Sequence, residues 1–183
     1  MKIGYIFLLN DGGSFESLKA QLSTIKDSNP MWVGVITECK EYYDEIIDIL
    51  NQYKVNFNVL YNLEKVSDVY KLDQFSKYKN GWTIVRVAGE NIVDDADLLR
   101  KYISDGNKIA LIKEDDRSVN GMCFFNFIYK YLKGSKYELN EETEEVIFKT
   151  FEEKVLEKDP NMITTWDKLN EIYYSNTADI YEW

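Results

Sequence analysis

Histidine is absent from the 183-residue chain, and cysteine and proline occur only twice each. Without imidazole there is no Ser-His or Cys-His nucleophile pair and no histidine acid or base. A zinc site would have to rest on carboxylates beside one or two thiolates, an uncommon ligand set for that metal. Cys39 and Cys123 lie far apart with no C-x-x-C spacing and read as small core residues. Chemistry in this chain therefore falls to carboxylates, Tyr, Lys, Arg or a hard metal ion. Basic residues are also in deficit: 22 Lys and Arg against 32 Asp and Glu give a net charge of −10. Neutralising phosphates takes a surplus of cations, so nucleic acid and anionic membranes are excluded as expected partners. No apolar run approaches the ~20 residues of a membrane span. Ile3 to Leu9 follows Lys2 but is short, and Asn10-Asp11-Gly12-Gly13 stands where a small-residue cleavage site would be. It reads as a first β-strand, and the expected compartment is the cytoplasm.

What is present suits one domain over residues 1–183, with 45% hydrophobic and 15% aromatic residues to build a core. Strand and helix patterns alternate through the first 115 residues. Ile3–Leu9, Trp32–Thr37, Val55–Tyr61, Trp82–Val87 and Lys108–Ile112 read as strands. Between them, Ser14 is placed to cap a helix with Phe15, Leu18, Leu22 and Ile25 on one stripe. Glu41–Tyr53 turns Tyr42, Ile46, Ile49 and Leu50 inward, and Lys65–Tyr78 and a helix opened by Asp94 or Asp95 follow. Strands separated by helices of this length need crossovers, hence parallel pairing. The fold class expected is α/β, a three-layer α/β/α sandwich with a mostly parallel sheet. In the shorter half, 116–183, Phe124 to Leu132 suggests a buried helix and Glu141–Lys158 a charged one, ended by Asp159-Pro160. A short strand near Met162–Thr165 and a helix from Asp167 would close the fold.

Ligands of open parallel sheets bind at the carboxyl ends of the strands, near a reversal of strand order. The residues to weigh are thus Asn10 to Gly13, Thr37-Glu38, Tyr61-Asn62 and Ala88 to Asn91. Asp11-Gly12-Gly13-Ser14 opens a helix, where bare N–H groups favour an anion, yet Asp11 and Glu16 would repel one. A tight turn with a helix cap is the preferred account of it. Arg86 is the single cation of an otherwise apolar strand, on the same face as Ala88 and Glu90 by alternation. It would pair with an acid on a neighbouring element or reach an anionic ligand.

Several segments, taken in order, resemble the nucleotide-binding half of a GT-A fold glycosyltransferase, of the nucleotide-diphospho-sugar transferase superfamily. The first strand ends in an Asn-bearing loop at Leu8-Leu9-Asn10. A Ser-Leu-x-x-x-Leu-x-Ser-Ile type helix follows at Ser17 to Ile25, and the second strand ends in an acid at Glu38. Gly81 to Glu90, continued by Asn91 to Leu99, lies where that family has a strand, an Asp-x-Asp motif and a helix. The resemblance covers roughly residues 1–115. It implies a nucleoside-diphosphate sugar bound by Asn10, Asp11, Glu38, Arg86 and Glu90, with transfer of the sugar to an unknown acceptor. It further implies Mg²⁺ or Mn²⁺ held by Glu90, because the family's motif binds a divalent cation that neutralises the diphosphate. The general base of the family precedes a helix in the second half, the place of Glu141 and Glu142. That half is short for the family, implying a minimal acceptor site or one completed by a partner subunit in a homo-oligomer.

The first Asp of the motif is replaced by Ala88. This departure favours an alternative, a catalytically inactive GT-A-like module that binds a nucleotide or a protein. A third reading is an unrelated doubly wound binding or regulatory domain. The Trp32, Trp82, Trp166 and Trp183 set could include a sugar-stacking surface or could simply pack the core.

Overall fold

The first strand, β1 (Ile3–Leu9), is buried at all seven positions. Such a run has no solvent face, so it can only be a central strand. A computed structural model of the chain describes residues 1–9, 12–37, 39–52, 78–89, 95–103, 108–113, 121–126 and 152–172. In it β1 lies between β2 (Val33–Thr37) and β3 (Trp82–Val87), parallel to both. β4 (Leu111–Lys113), β5 (Gly121–Phe125) and β6 (Ile163–Thr165) complete a sheet of order β2-β1-β3-β5-β4-β6 among the described residues. β5 runs antiparallel to both β3 and β4, whereas β4 and β6 are parallel. The sheet is therefore mixed: five strands share a direction and one reversed strand is inserted among them.

Alternation divides the side chains of β1 between two faces. Ile3, Tyr5, Phe7 and Leu9 share one face, where the Tyr5 and Phe7 rings stack at 5.9 Å. Helix α1 (Phe15–Ile25) lays Phe15, Leu18, Leu22 and Ile25 on that face. Helix α2 (Tyr43–Leu50) adds Ile46 and Leu50, helix α3 (Asp95–Tyr102) adds Ala96 and Leu99, and the 166–172 helix adds Leu169. Each fully buried Leu or Ile there contributes about 1.5–3 kcal/mol. Ile6, Leu8, Ile36 and Val85 face the other way and are buried as well, so both faces of the sheet are covered. Lys113 at the end of β4 donates to Glu152 at 2.9 Å, joining the sheet to the 152–158 helix. Val155 of that helix is fully buried.

Several expectations change. The aromatic run beginning at Phe124 is strand, not helix, through Phe125, and residues 127–132 lie outside those described. Cys123 and Phe124 are both fully buried because β5 is flanked by strands on either side. A short apolar run of this kind carries no period that separates strand from helix. The strand expected at Lys108–Ile112 is strand over Leu111–Lys113, with Ala110 just before it donating to the Met162 carbonyl and accepting from the Phe125 N–H. Ser14 makes no capping hydrogen bond; it sits at φ −92°, ψ 4° at the end of a 3-10 turn, away from the extended geometry that a capping side chain needs. The strand expected at Val55–Tyr61 and most of the helix expected at Lys65–Tyr78 fall outside the described residues.

The described tryptophans divide between core and rim. The Trp32 ring lies over Gly4, where a Cβ would come within 1.8 Å of it, and stacks on Tyr78 at 4.9 Å. Trp82 opens β3 and is 4% exposed. Both sit at the amino ends of the strands, opposite the edge where a ligand would bind. Trp166, partly buried, packs toward Tyr102, and Trp183 is outside the described residues.

Candidate functional site

The strand order reverses at β1. From β1 the chain continues to β2 on one side, while β3 lies on the other and leads on toward β4. The connections leaving the carboxyl ends of β1 and β3 thus diverge, and the space between them is the crevice where open α/β sheets bind ligands.

Polar side chains buried within the fold fix the backbone around that crevice. Thr37, the last residue of β2, is fully buried; its hydroxyl donates to the Leu9 carbonyl at 2.6 Å and accepts from the Cys39 N–H at 3.0 Å. The Tyr43 hydroxyl donates to the Thr37 carbonyl at 3.2 Å. On the far side of β1, the Ala88 N–H donates to the Leu8 carbonyl at 2.8 Å, extending the ladder one residue past β3. Gln21, on the buried stripe of α1, donates from Nε2 to the Val87 carbonyl at 3.3 Å. Its Oε1 accepts from the Gly89 N–H at 3.4 Å. Gly89 adopts φ +99°, where a side chain is strained, and a Cβ there would lie 3.2 Å from Ser14 Oγ. The Gly12–Ser14 turn packs on Tyr42, whose ring stacks on Phe15 at 4.2 Å.

Of the expected site residues, Arg86 is described. It is 4% exposed, level in the sheet with Phe7 on β1 and Gly121 on β5, on the face packed by α1. Asn10, Asp11, Glu38 and Glu90 lie outside the described residues, each in a connection entered from a described strand end or turn: Leu9 for the first two, Thr37 and Gly89 for the others. Glu141 and Glu142 lie outside them too. Ala88, at the place of the motif's first Asp, is 7% exposed and belongs to the hydrophobic core. Among the described residues no group of three His, Cys, Asp or Glu could hold a metal ion. At Ala88, where the motif's first carboxylate would stand, the chain supplies a methyl group instead. Nor is any helix among them long and apolar enough to cross a membrane.

Gln21 is absent from the sequence expectations and Thr37 enters them only as the strand end beside Glu38, although each left a trace. Gln21 interrupts the apolar stripe between Leu18 and Leu22, and Thr37 closes an apolar strand at a carboxyl end. Buried polar groups are retained where they satisfy backbone partners, and these two do so at adjoining strand ends.

No protein-family model and no curated protein matches the sequence. Solved structures do match. A cytidylyltransferase from Leptospira borgpetersenii serovar Hardjo-bovis superposes with a TM-score of 0.61 at 13% identity, over 90% of this chain and 75% of that one. A 4-diphosphocytidyl-2C-methyl-D-erythritol synthase from Anaerococcus prevotii gives 0.51 at 15% identity, over 90% and 86%. A Bacillus anthracis protein assigned as a glucose-1-phosphate thymidylyltransferase, in complex with sucrose, gives 0.51 at 10% identity, over 89% and 85%. The fold is thus an α/β fold with a mixed sheet that resembles the Rossmann-like fold of these nucleotidyltransferases.

Proposed function

We propose that this chain handles a nucleoside-diphosphate sugar, bound in the crevice at the carboxyl ends of β1, β2 and β3. The observation that carries this reading is the reversal of strand order at β1, with Gln21 and Thr37 fixing the backbone on both sides of it. The fold's likeness to enzymes whose names join nucleotides to small phosphorylated molecules supports the same substrate class. In this reading Glu38 faces the nucleoside, Asn10 and Asp11 line the pocket, and Glu90 meets the ribose or a divalent ion carried in with the diphosphate. Arg86 supplies positive charge from beneath the edge. One strand repeat below Ala88 puts it about 7 Å away, where a unit charge is worth about 2 kcal/mol to a phosphate at an effective dielectric of about 20. Glycosyl transfer is the reaction proposed, with Glu141 or Glu142 deprotonating the acceptor hydroxyl.

Ala88 favours a second reading, a module that binds the nucleotide without transferring sugar. Its methyl group is buried in the core, so a carboxylate is missing where metal chemistry would need one. Thermal-shift titration with UDP, GDP, CDP and dTDP and their sugars, with and without Mn²⁺, separates the two. Linkage gives about 2.7 kcal/mol of stabilisation at a hundredfold excess over the dissociation constant. Stabilisation that needs Mn²⁺ and is lost in Glu90→Ala supports the transferase. Metal-indifferent stabilisation supports the binding module, and no shift with any nucleotide sinks both.

A further inference from the structure

We infer that Gln21 is a positioning residue for this site, holding the Val87–Gly89 turn in the conformation a bound nucleotide meets; the inference rests on the nucleotide-binding reading above. Among the described residues, β5 pairs with β3 from Trp82 to Arg86. Past Arg86 the described partners of the Val87 carbonyl and the Gly89 N–H come from α1. Gln21 provides both: its amide donates to the carbonyl of Val87 and accepts from the N–H of Gly89. A residue of a neighbouring parallel strand would make the same pair of bonds across Ala88. One side chain thus makes the bonds of a strand residue at the point where β3 becomes the site's loop.

The residue type is costly unless it does this. Gln21 is 3% exposed on a stripe otherwise made of Phe15, Leu18, Leu22 and Ile25. A buried primary amide loses its water and must recover those hydrogen bonds inside the protein. An apolar residue would pack this stripe equally well, so packing alone does not call for an amide. The bonded turn also contains Gly89 at φ +99°, a conformation whose alternatives are open to glycine at little cost. An external tether is what selects one of them. Gly89 is followed directly by Glu90, the carboxylate proposed to meet the ligand, so the tether acts one residue from the ligand contact.

The test uses Gln21→Met and Gln21→Glu in the full chain, read by hydrogen exchange at the Gly89 amide and by the affinity for whichever nucleotide stabilises the wild type most. Gln21→Met removes both hydrogen bonds while keeping the bulk. Exchange at Gly89 should quicken about tenfold or more, and nucleotide affinity should fall about tenfold, measured well below the melting temperature. Gln21→Glu gives a signature that packing would not. As a neutral acid near pH 5 it can donate to Val87 and accept from Gly89, restoring both properties toward wild type. Ionised near pH 8, it repels the Val87 carbonyl and loses them. Unchanged Gly89 exchange and unchanged affinity in Gln21→Met would overturn the inference. If the wild type binds none of the nucleotides, the reading of the site falls with that result, and Gly89 exchange alone then decides whether Gln21 holds the turn.

Discussion

The Thr37 hydroxyl donates to the Leu9 carbonyl at 2.6 Å, tying the carboxyl end of β2 to that of β1 at the lip of the candidate site. Since the same oxygen accepts from the Cys39 N–H, one buried atom orders the chain on both sides of Glu38. Thr37→Val keeps the shape and removes the hydroxyl's bonds to the Leu9 carbonyl and the Cys39 N–H. The expected loss of stability is about 1–3 kcal/mol in chemical denaturation. A loss within experimental error would show that the hydroxyl is dispensable.

Gly89→Ala tests the turn after β3. The substitution forces a side chain into φ +99° and places its methyl against Ser14. The strain costs about 1–3 kcal/mol. Pairing it with Ser14→Gly should recover little of that cost, since strain rather than crowding dominates. Denaturant midpoints of the two variants and the double variant read this directly.

Arg86→Met removes the charge beneath the edge while keeping much of the side chain's apolar volume. With about 2 kcal/mol of attraction to a diphosphate lost, affinity for a nucleoside-diphosphate sugar should fall about thirtyfold, and affinity for the uncharged nucleoside should not change. Equal affinities for the nucleoside diphosphate in variant and wild type, measured by calorimetry, would remove Arg86 from the site.

Ala88→Asp asks whether the missing carboxylate can be put back. Ala88 is 7% exposed and belongs to the hydrophobic core, so the new carboxylate would be buried. A loss of about 2–4 kcal/mol in stability is expected without metal. Mn²⁺ should recover part of it only if Glu90 can reach the same ion. A variant as stable as wild type without metal would mean that this position opens to water more than the packing implies.

How far the sequence could be read depends on which signal each element carried. The stripe of Phe15, Leu18, Leu22 and Ile25 has the helical period, and all four residues are buried on α1. Ile3–Leu9 is a continuous apolar run and Trp82–Val87 an apolar run broken by Thr83 and Arg86, and both are central strands. β5 escaped because residues buried on both faces leave no period to read. Its reversed direction was equally invisible, since pairing is decided by partners far away in the chain. At the site, Arg86 was legible as a lone cation in an apolar strand. Gln21 was not, and Thr37 was legible only as a strand end, because their bonds go to the backbone groups of Val87, Gly89 and Leu9, which only the folded chain brings within reach.

The reversed strand has a mechanical consequence. β2, β1 and β3 form one parallel block, β4 and β6 another, and among the described residues every rung between the two blocks passes through β5. The five residues Gly121–Phe125 are a seam. If β5 peels away, each block keeps its internal ladder, yet the sheet is cut in two beside the strand that leads into the candidate site. Whether this chain opens as one cooperative body or as two is therefore decided at Cys123 and its neighbours.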